Sequence, residues 1–158
     1  MTHVHEYRAK ILWTGAAQGP TSSYPAYSRD YLVEINGKAP LRGSADATFR
    51  GDASLHNPED LLVAALSACH LLSYLALCAR AGVAVVAYED AAHGAMTERD
   101  GKIRFTEVVL RPAVVVAAGA DLARAEALHE QAHRECFIAN SVNFPVRHEA
   151  TVSARAPA

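Results

Sequence analysis

The chain has 158 residues, about half of them apolar and a fifth charged, with a formal net charge of -2. That length supports one domain with its own core, and the composition excludes an intrinsically disordered chain and the basic footprint of a nucleic-acid binder. The opening MTHVHEYRAK has no apolar signal segment, and three cysteines do not make a disulfide framework, so a cytoplasmic single domain over residues 1–158 is expected.

In chain order, YRAKILWTG and YLVEING read as strands, the second closing on an Asn36-Gly37 turn signal. KAPLRGSADATFRGDASLHNP, rich in Gly, Asp, Ser and Pro, reads as a long loop, and long loops in compact domains are often functional. A helix then starts sharply. Asn57 is a good N-cap, Pro58 suits the first helical position, Glu59 and Asp60 complement the positive end of the dipole, and Gly82 marks the stop.

From Leu61 to Ala79 this helix carries no formal charge. The stretch is long enough for a membrane span. Its Ala, Ser and Cys content, its central His70 and its setting inside a soluble pattern argue against one. A helix apolar on every side must be covered on every side, which points to a homo-oligomer that shares the burial.

VAVVAYEDAAHGAMTE and KIRFTEVVLRPAVVVAA flank Arg99-Asp100-Gly101 as the arms of a hairpin. DLARAEALHEQAHRECFIAN reads as a second helix capped by Asp121, and FPVRHEATVSA as a closing strand. Strands, helix, strands, helix, strand is an α+β order rather than a doubly wound parallel sheet.

The cysteines carry the candidate chemistry. Cys78 lies nine residues after Cys69, on the opposite helix face, and is assigned to the core. Cys69 and Cys136 lie on different helices and are free to meet. Cys136 sits near the negative end of its helix, which disfavours a thiolate. Cys69, in mid-helix, needs a nearby cation to ionise; Arg29, Arg42 and Arg50 precede the helix, and Glu59 is placed to hold an arginine, or is a simple first-turn acid. His129-Glu130-Gln131-Ala132-His133 matches the H-E-x-x-H zinc signature, with Cys136 near the same face, although three fixed positions on a helix recur by chance. His70 does not face Cys69 and reads as a satisfied buried or interface histidine.

NPEDLLVAALSAC resembles the central-helix motif of the OsmC/Ohr family of thiol peroxidases, with Glu59 ten residues before Cys69, and AHRECFIANSVNFPV places Cys136 at the family's second cysteine. The likeness covers nearly the whole chain. It implies an OsmC-like α+β fold: N-terminal antiparallel strands, a long buried central helix, a β-hairpin, a second helix and a closing strand, in an intertwined homodimer. It also implies that Cys69 attacks an organic hydroperoxide, that Cys136 resolves the sulfenic acid as a Cys69–Cys136 disulfide, that an external dithiol restores both thiols, and that no cofactor or metal takes part. An arginine held by Glu59 would stabilise the thiolate; OsmC-branch spacing favours Arg50, with Arg29 second. GPTSSYPAYSRDY stands where the Ohr branch has a GGRDG-type loop, which marks a divergent branch. Two other readings stay open: a non-catalytic ligand-binding or stress protein of the same fold, and a zinc hydrolase on His129, Glu130 and His133.

Overall fold

In a computed structural model, which describes residues 3–156, two helices and nine strands form among the described residues. The strands make three sheets of three. The chain divides into two compact units, residues 1–61 and 62–158.

The first unit is an antiparallel sheet of β1 (Lys10–Trp13), β2 (Tyr31–Glu34) and β3 (Leu41–Gly43). The two expected strands are present and pair Trp13 with Tyr31. The segment read as a loop is not structureless. It contributes β3, a bridge from Gly43 to His56, and a short 3-10 turn at Ala47–Phe49 that Asp46 caps through the Thr48 amide. Ser44 organises it: fully buried, it accepts a hydrogen bond from the Asp52 amide at 3.1 Å and donates its own amide to the His56 carbonyl at 2.9 Å.

Helix α1 runs over Pro58–Arg80. Its start is a reciprocal cap: the Asn57 side chain accepts from the Asp60 amide at 2.7 Å, and the Asp60 carboxylate accepts from the Asn57 amide at 3.4 Å. At its end Gly82 takes φ +72, and the Val83 and Gly82 amides close on the Cys78 and Ala79 carbonyls, the paired bonds of a Schellman stop.

The second unit corrects the strand count. The arms of the predicted hairpin each split: β4 (Val85–Asp90) and β7 (Pro112–Val116) pair in one sheet, while β5 (His93–Arg99) and β6 (Lys102–Leu110) pair in another around a two-residue turn with Asp100 and Gly101 at positive φ. Helix α2, Leu122–Glu135, starts on Asp121, whose side chain accepts from the Arg124 amide at 2.9 Å. It carries the chain back, so that the closing segment returns as two short strands. β8 (Val146–His148) lies parallel to β6, and β9 (Thr151–Ala154) parallel to β7.

The core of this unit explains the charge-free run. Tyr74, Leu77 and Cys78 of α1 pack with Val114 and Val116 of β7 and with Ala125, Leu128 and Ala132 of α2, and Leu66 packs with Val108, Leu110 and Val146. Leu66, His70, Tyr74, Leu77 and Cys78 form one stripe at helical spacing. The chain covers only this stripe: Ala64, Ala68, Ala76 and Ala79 are exposed, as is Leu72 at 66 %.

Candidate functional site

Two groups of side chains carry potential chemistry, one in each unit. The first surrounds a pocket of about 480 Å³ in the N-terminal unit, lined by Trp13, Tyr27, Tyr31 and Phe49 together with Arg29, Asp46 and Glu59. The alternation of β1 and β2 sends Trp13 and Tyr31 to it, and the Asp46-capped turn supplies Phe49. A Cβ at Gly43 would meet the far end of the Tyr31 ring, so glycine there leaves room for that ring.

Arg29 is the cation of this pocket. Its guanidinium donates to the Tyr24 and Tyr27 carbonyls and lies 3.9 Å from the Tyr27 ring centre and 4.8 Å from that of Tyr24. Tyr27 in turn stands edge-on to Trp13, whose indole donates to the Ser28 carbonyl at 2.8 Å. Glu59 enters as a half-buried carboxylate from the first turn of α1, and its charge, added to burial, raises the Tyr31 phenol pKa above its ordinary value. Arg50 is exposed in the left-handed region after the 3-10 turn and is not among the pocket's lining side chains. The aromatic lining is a feature the sequence reading missed. The only signal for it was the run of tyrosines in TSSYPAYSRDY.

The second group lies wholly in the C-terminal unit. Cys69, half-buried in mid-α1, and Cys136, the residue that ends α2, are both free thiols, and the Cys69 side chain is near enough to act on the Cys136 thiol. Burial first, and then the neighbouring Cys69 side chain, raises the Cys136 pKa to about 11, so Cys136 stays protonated at neutral pH. The Ala139 amide approaches the Cys136 sulfur at 3.5 Å. Cys78 is buried in the core, as its spacing predicted.

Beside the thiols lies a stack of imidazoles. His70 Nε2 and His129 Nδ1 are 3.0 Å apart, one ring donating to the other, and both residues are buried, at 0 % and 1 % exposure. Tyr74 stacks on His129 at 3.8 Å and donates to the Ala125 carbonyl at 3.1 Å. His148 of β8 lies over both rings and reaches Glu130 at 3.4 Å. Burial lowers the pKa of His70 to about 4 and of His129 to about 3, with the neighbouring histidines adding to the effect.

The H-E-x-x-H segment therefore lies in α2, but not in a zinc-binding arrangement. His129 turns inward to His70 and Tyr74, while exposed Glu130 turns to Arg134 and His148. Among the described residues no group of three His, Cys, Asp or Glu side chains is disposed to hold a metal ion. His129 is instead part of the core.

Similarity to known proteins adds to this geometry. The family profile described as OsmC-like protein matches residues 51–151. A solved OsmC-like protein of unknown function from Vibrio cholerae is 33 % identical, with 94 % of this chain and 100 % of that chain aligned at a TM-score of 0.87. An organic hydroperoxide resistance protein from Legionella pneumophila (19 % identity, 96 % and 99 % coverage, TM-score 0.69) shares the fold. So does one from Elizabethkingia anophelis (21 % identity, 98 % and 100 % coverage, TM-score 0.69). A search of curated proteins finds no significant match.

Proposed function

Since the chain belongs to the OsmC-like family, we propose that it is a thiol-dependent peroxidase that reduces organic hydroperoxides to alcohols in defence against oxidative stress. The observation that carries this reading is the pair of free thiols, Cys69 and Cys136, on two different helices and near enough for one to act on the other. Two structural relatives named for organic hydroperoxide resistance share the fold around it.

Cys69 is the attacking group. Its thiolate takes the terminal oxygen of the hydroperoxide, the O–O bond breaks, and the alkoxide leaves as alcohol once protonated. The Cys69 sulfenic acid stands next to the Cys136 thiol, which attacks its sulfur; water leaves and the Cys69–Cys136 disulfide forms. An external dithiol then reduces the disulfide by exchange, which places the cycle in a reducing compartment such as the cytoplasm. The high Cys136 pKa fits the resolving role, since a protonated neighbour does not compete for the peroxide.

The cation that the thiolate needs is assigned to Arg29, because Arg29 shares a pocket with Glu59 and Arg50 does not. The aromatic walls of that pocket suit an apolar peroxide. The apolar face of α1 left uncovered by one chain, extended by Phe137 at 79 % exposure, is what a homodimer would bury.

The test is consumption of cumene hydroperoxide and of hydrogen peroxide with a dithiol reductant, wild type beside Cys69→Ser. The expected result is turnover in the wild type alone, faster with the organic peroxide. Equal turnover in Cys69→Ser would remove Cys69 from the mechanism. No turnover in either protein would leave a ligand-binding role for the aromatic pocket.

A further inference from the structure

The imidazole pair has no part in the cycle just described, and packing alone does not account for it. His70 Nδ1 and His129 Nε2 are buried with no hydrogen-bond partner among the described residues, so each ring spends half of its polar capacity in the core. Two apolar side chains would fill the same space without that cost. Apolar packing, however, gives no direction. Leu77, Leu128 and Ala132 hold α1 against α2 without fixing how far one helix is displaced along the other.

The His70–His129 bond does fix it, assisted by the Tyr74 hydroxyl on the Ala125 carbonyl, one turn after His70 in α1 and one turn before His129 in α2. The positions of the two thiols depend on the same alignment. Cys69 immediately precedes His70, and Cys136 ends α2 two turns beyond His129. Disulfide geometry is narrow, with Cβ atoms about 3.8 Å apart, while a shift of a single residue along a helix moves a side chain by about 1.5 Å.

We propose that His70 and His129 are positioning residues for the resolving step: their hydrogen bond sets the level of α2 against α1 and so holds Cys136 within bonding reach of Cys69. This rests on the dithiol reading of the site, and its test needs no peroxide. The reduced protein is equilibrated with mixtures of glutathione disulfide and glutathione. One glutathione disulfide takes two electrons and two protons from the Cys69 and Cys136 thiols, giving the protein disulfide and two glutathione thiols. The measured quantity is the effective concentration of the thiol pair.

His129 bonds through its δ nitrogen and His70 through its ε nitrogen, which gives a crossed signature. An asparagine amide sits where a histidine δ nitrogen does, and a glutamine amide where the ε nitrogen does. His129→Asn and His70→Gln should keep the wild-type value within about threefold, whereas His129→Gln and His70→Asn should lower it roughly tenfold, the effect of losing one buried hydrogen bond. A residue that merely filled space would show no such crossing. Equal values for Asn and Gln at both positions would overturn the proposal. Should the amide variants not fold, His70→Leu combined with His129→Leu keeps the core filled; the tenfold loss is expected there too, and a wild-type value overturns the proposal. A wild type that shows the crossed pattern yet reduces no peroxide would lose the peroxidase reading alone.

Discussion

Cys69 and Cys136 are neighbours that do not share one environment: Cys69 is half-buried in the middle of α1, whereas Cys136 is 1 % exposed at the end of α2 with its pKa raised by burial and by Cys69. The asymmetry fits the two proposed roles, because the thiolate is the form that attacks and burial disfavours it at Cys136.

The expected consequence is a split phenotype. Cys136→Ser should consume one equivalent of peroxide per chain to form the Cys69 sulfenic acid, then a second more slowly to form the sulfinic acid, and stall, with steady-state turnover on a dithiol down by about tenfold or more. Mass spectrometry of the stalled protein should find one and then two added oxygens on the peptide carrying Cys69. Oxygen accumulating on Cys78 instead would mean that the roles are wrong.

A second prediction separates the two candidate arginines. Arg29 lies against the rings of Tyr24 and Tyr27 in the pocket that Glu59 also lines, while Arg50 points to solvent from a left-handed turn. On the role proposed for it, Arg29→Ala should lower the rate of Cys69 oxidation by about 100-fold, the scale of losing one electrostatic stabiliser of a reaction, with Arg50→Ala within about twofold of wild type. Loss concentrated in Arg50→Ala would return the role to the residue that sequence spacing favours.

Where the sequence was informative, the cause was local. The Asn57 cap, the Asp121 cap, the Gly82 stop and the Asp100-Gly101 turn are each specified by two or three adjacent residues, and all four form as expected. The splitting of β4 from β5 and of β6 from β7 was not legible, because it depends on which sheet each half joins. Apolar alternation is the same whether Val114 faces α2 or another strand. The site divides along the same line. Cys69 and Cys136 carry their positions in a motif, whereas the His70–His129 bond joins residues 59 apart in sequence, and nothing in HExxH distinguishes a core histidine from a ligand.

Gly51 offers a test of the pocket's architecture. A Cβ at this position would fall inside the contact distance of the Ala45 carbonyl, which is backbone and has no side-chain freedom with which to yield. The Gly51 amide also closes the turn by donating to the Asp46 carbonyl at 3.0 Å. Gly51→Ala should therefore displace the segment that presents Asp46 and Phe49, costing about 2 kcal/mol or more of stability and raising KM for an aromatic peroxide more than for hydrogen peroxide. Unchanged thermal unfolding together with unchanged KM would show that the turn has no such constraint.

The imidazole stack makes a prediction about pH. The groups facing His70 are His129 and His133 of α2, His148 of β8 and Asp90 of β4, and those facing His129 are His70, His148 and Tyr74. Only Asp90 favours a charge there, and its carboxylate already accepts from the Ser67 hydroxyl and the Arg111 amide, both at 2.6 Å. Both rings therefore stay neutral in the fold, with pKa values near 4 and 3, while in the unfolded chain they titrate near the ordinary 6.5. Below that ordinary value the unfolded state binds protons that the native state refuses, so stability falls as the pH falls. It should be level above about pH 7 and decline by about 1.4 kcal/mol per pH unit for each histidine, the decline easing only as the native pKa values are approached. Between pH 6 and 5 carboxylates are still largely ionised, so this range reports the histidines. Urea unfolding at half-unit steps across it measures the slope, and His129→Asn should reduce it by about half. A wild-type stability that does not change from pH 7 to 5 would mean that the two rings are charged or solvated in the fold, and that the stack is not the neutral, buried pair described above.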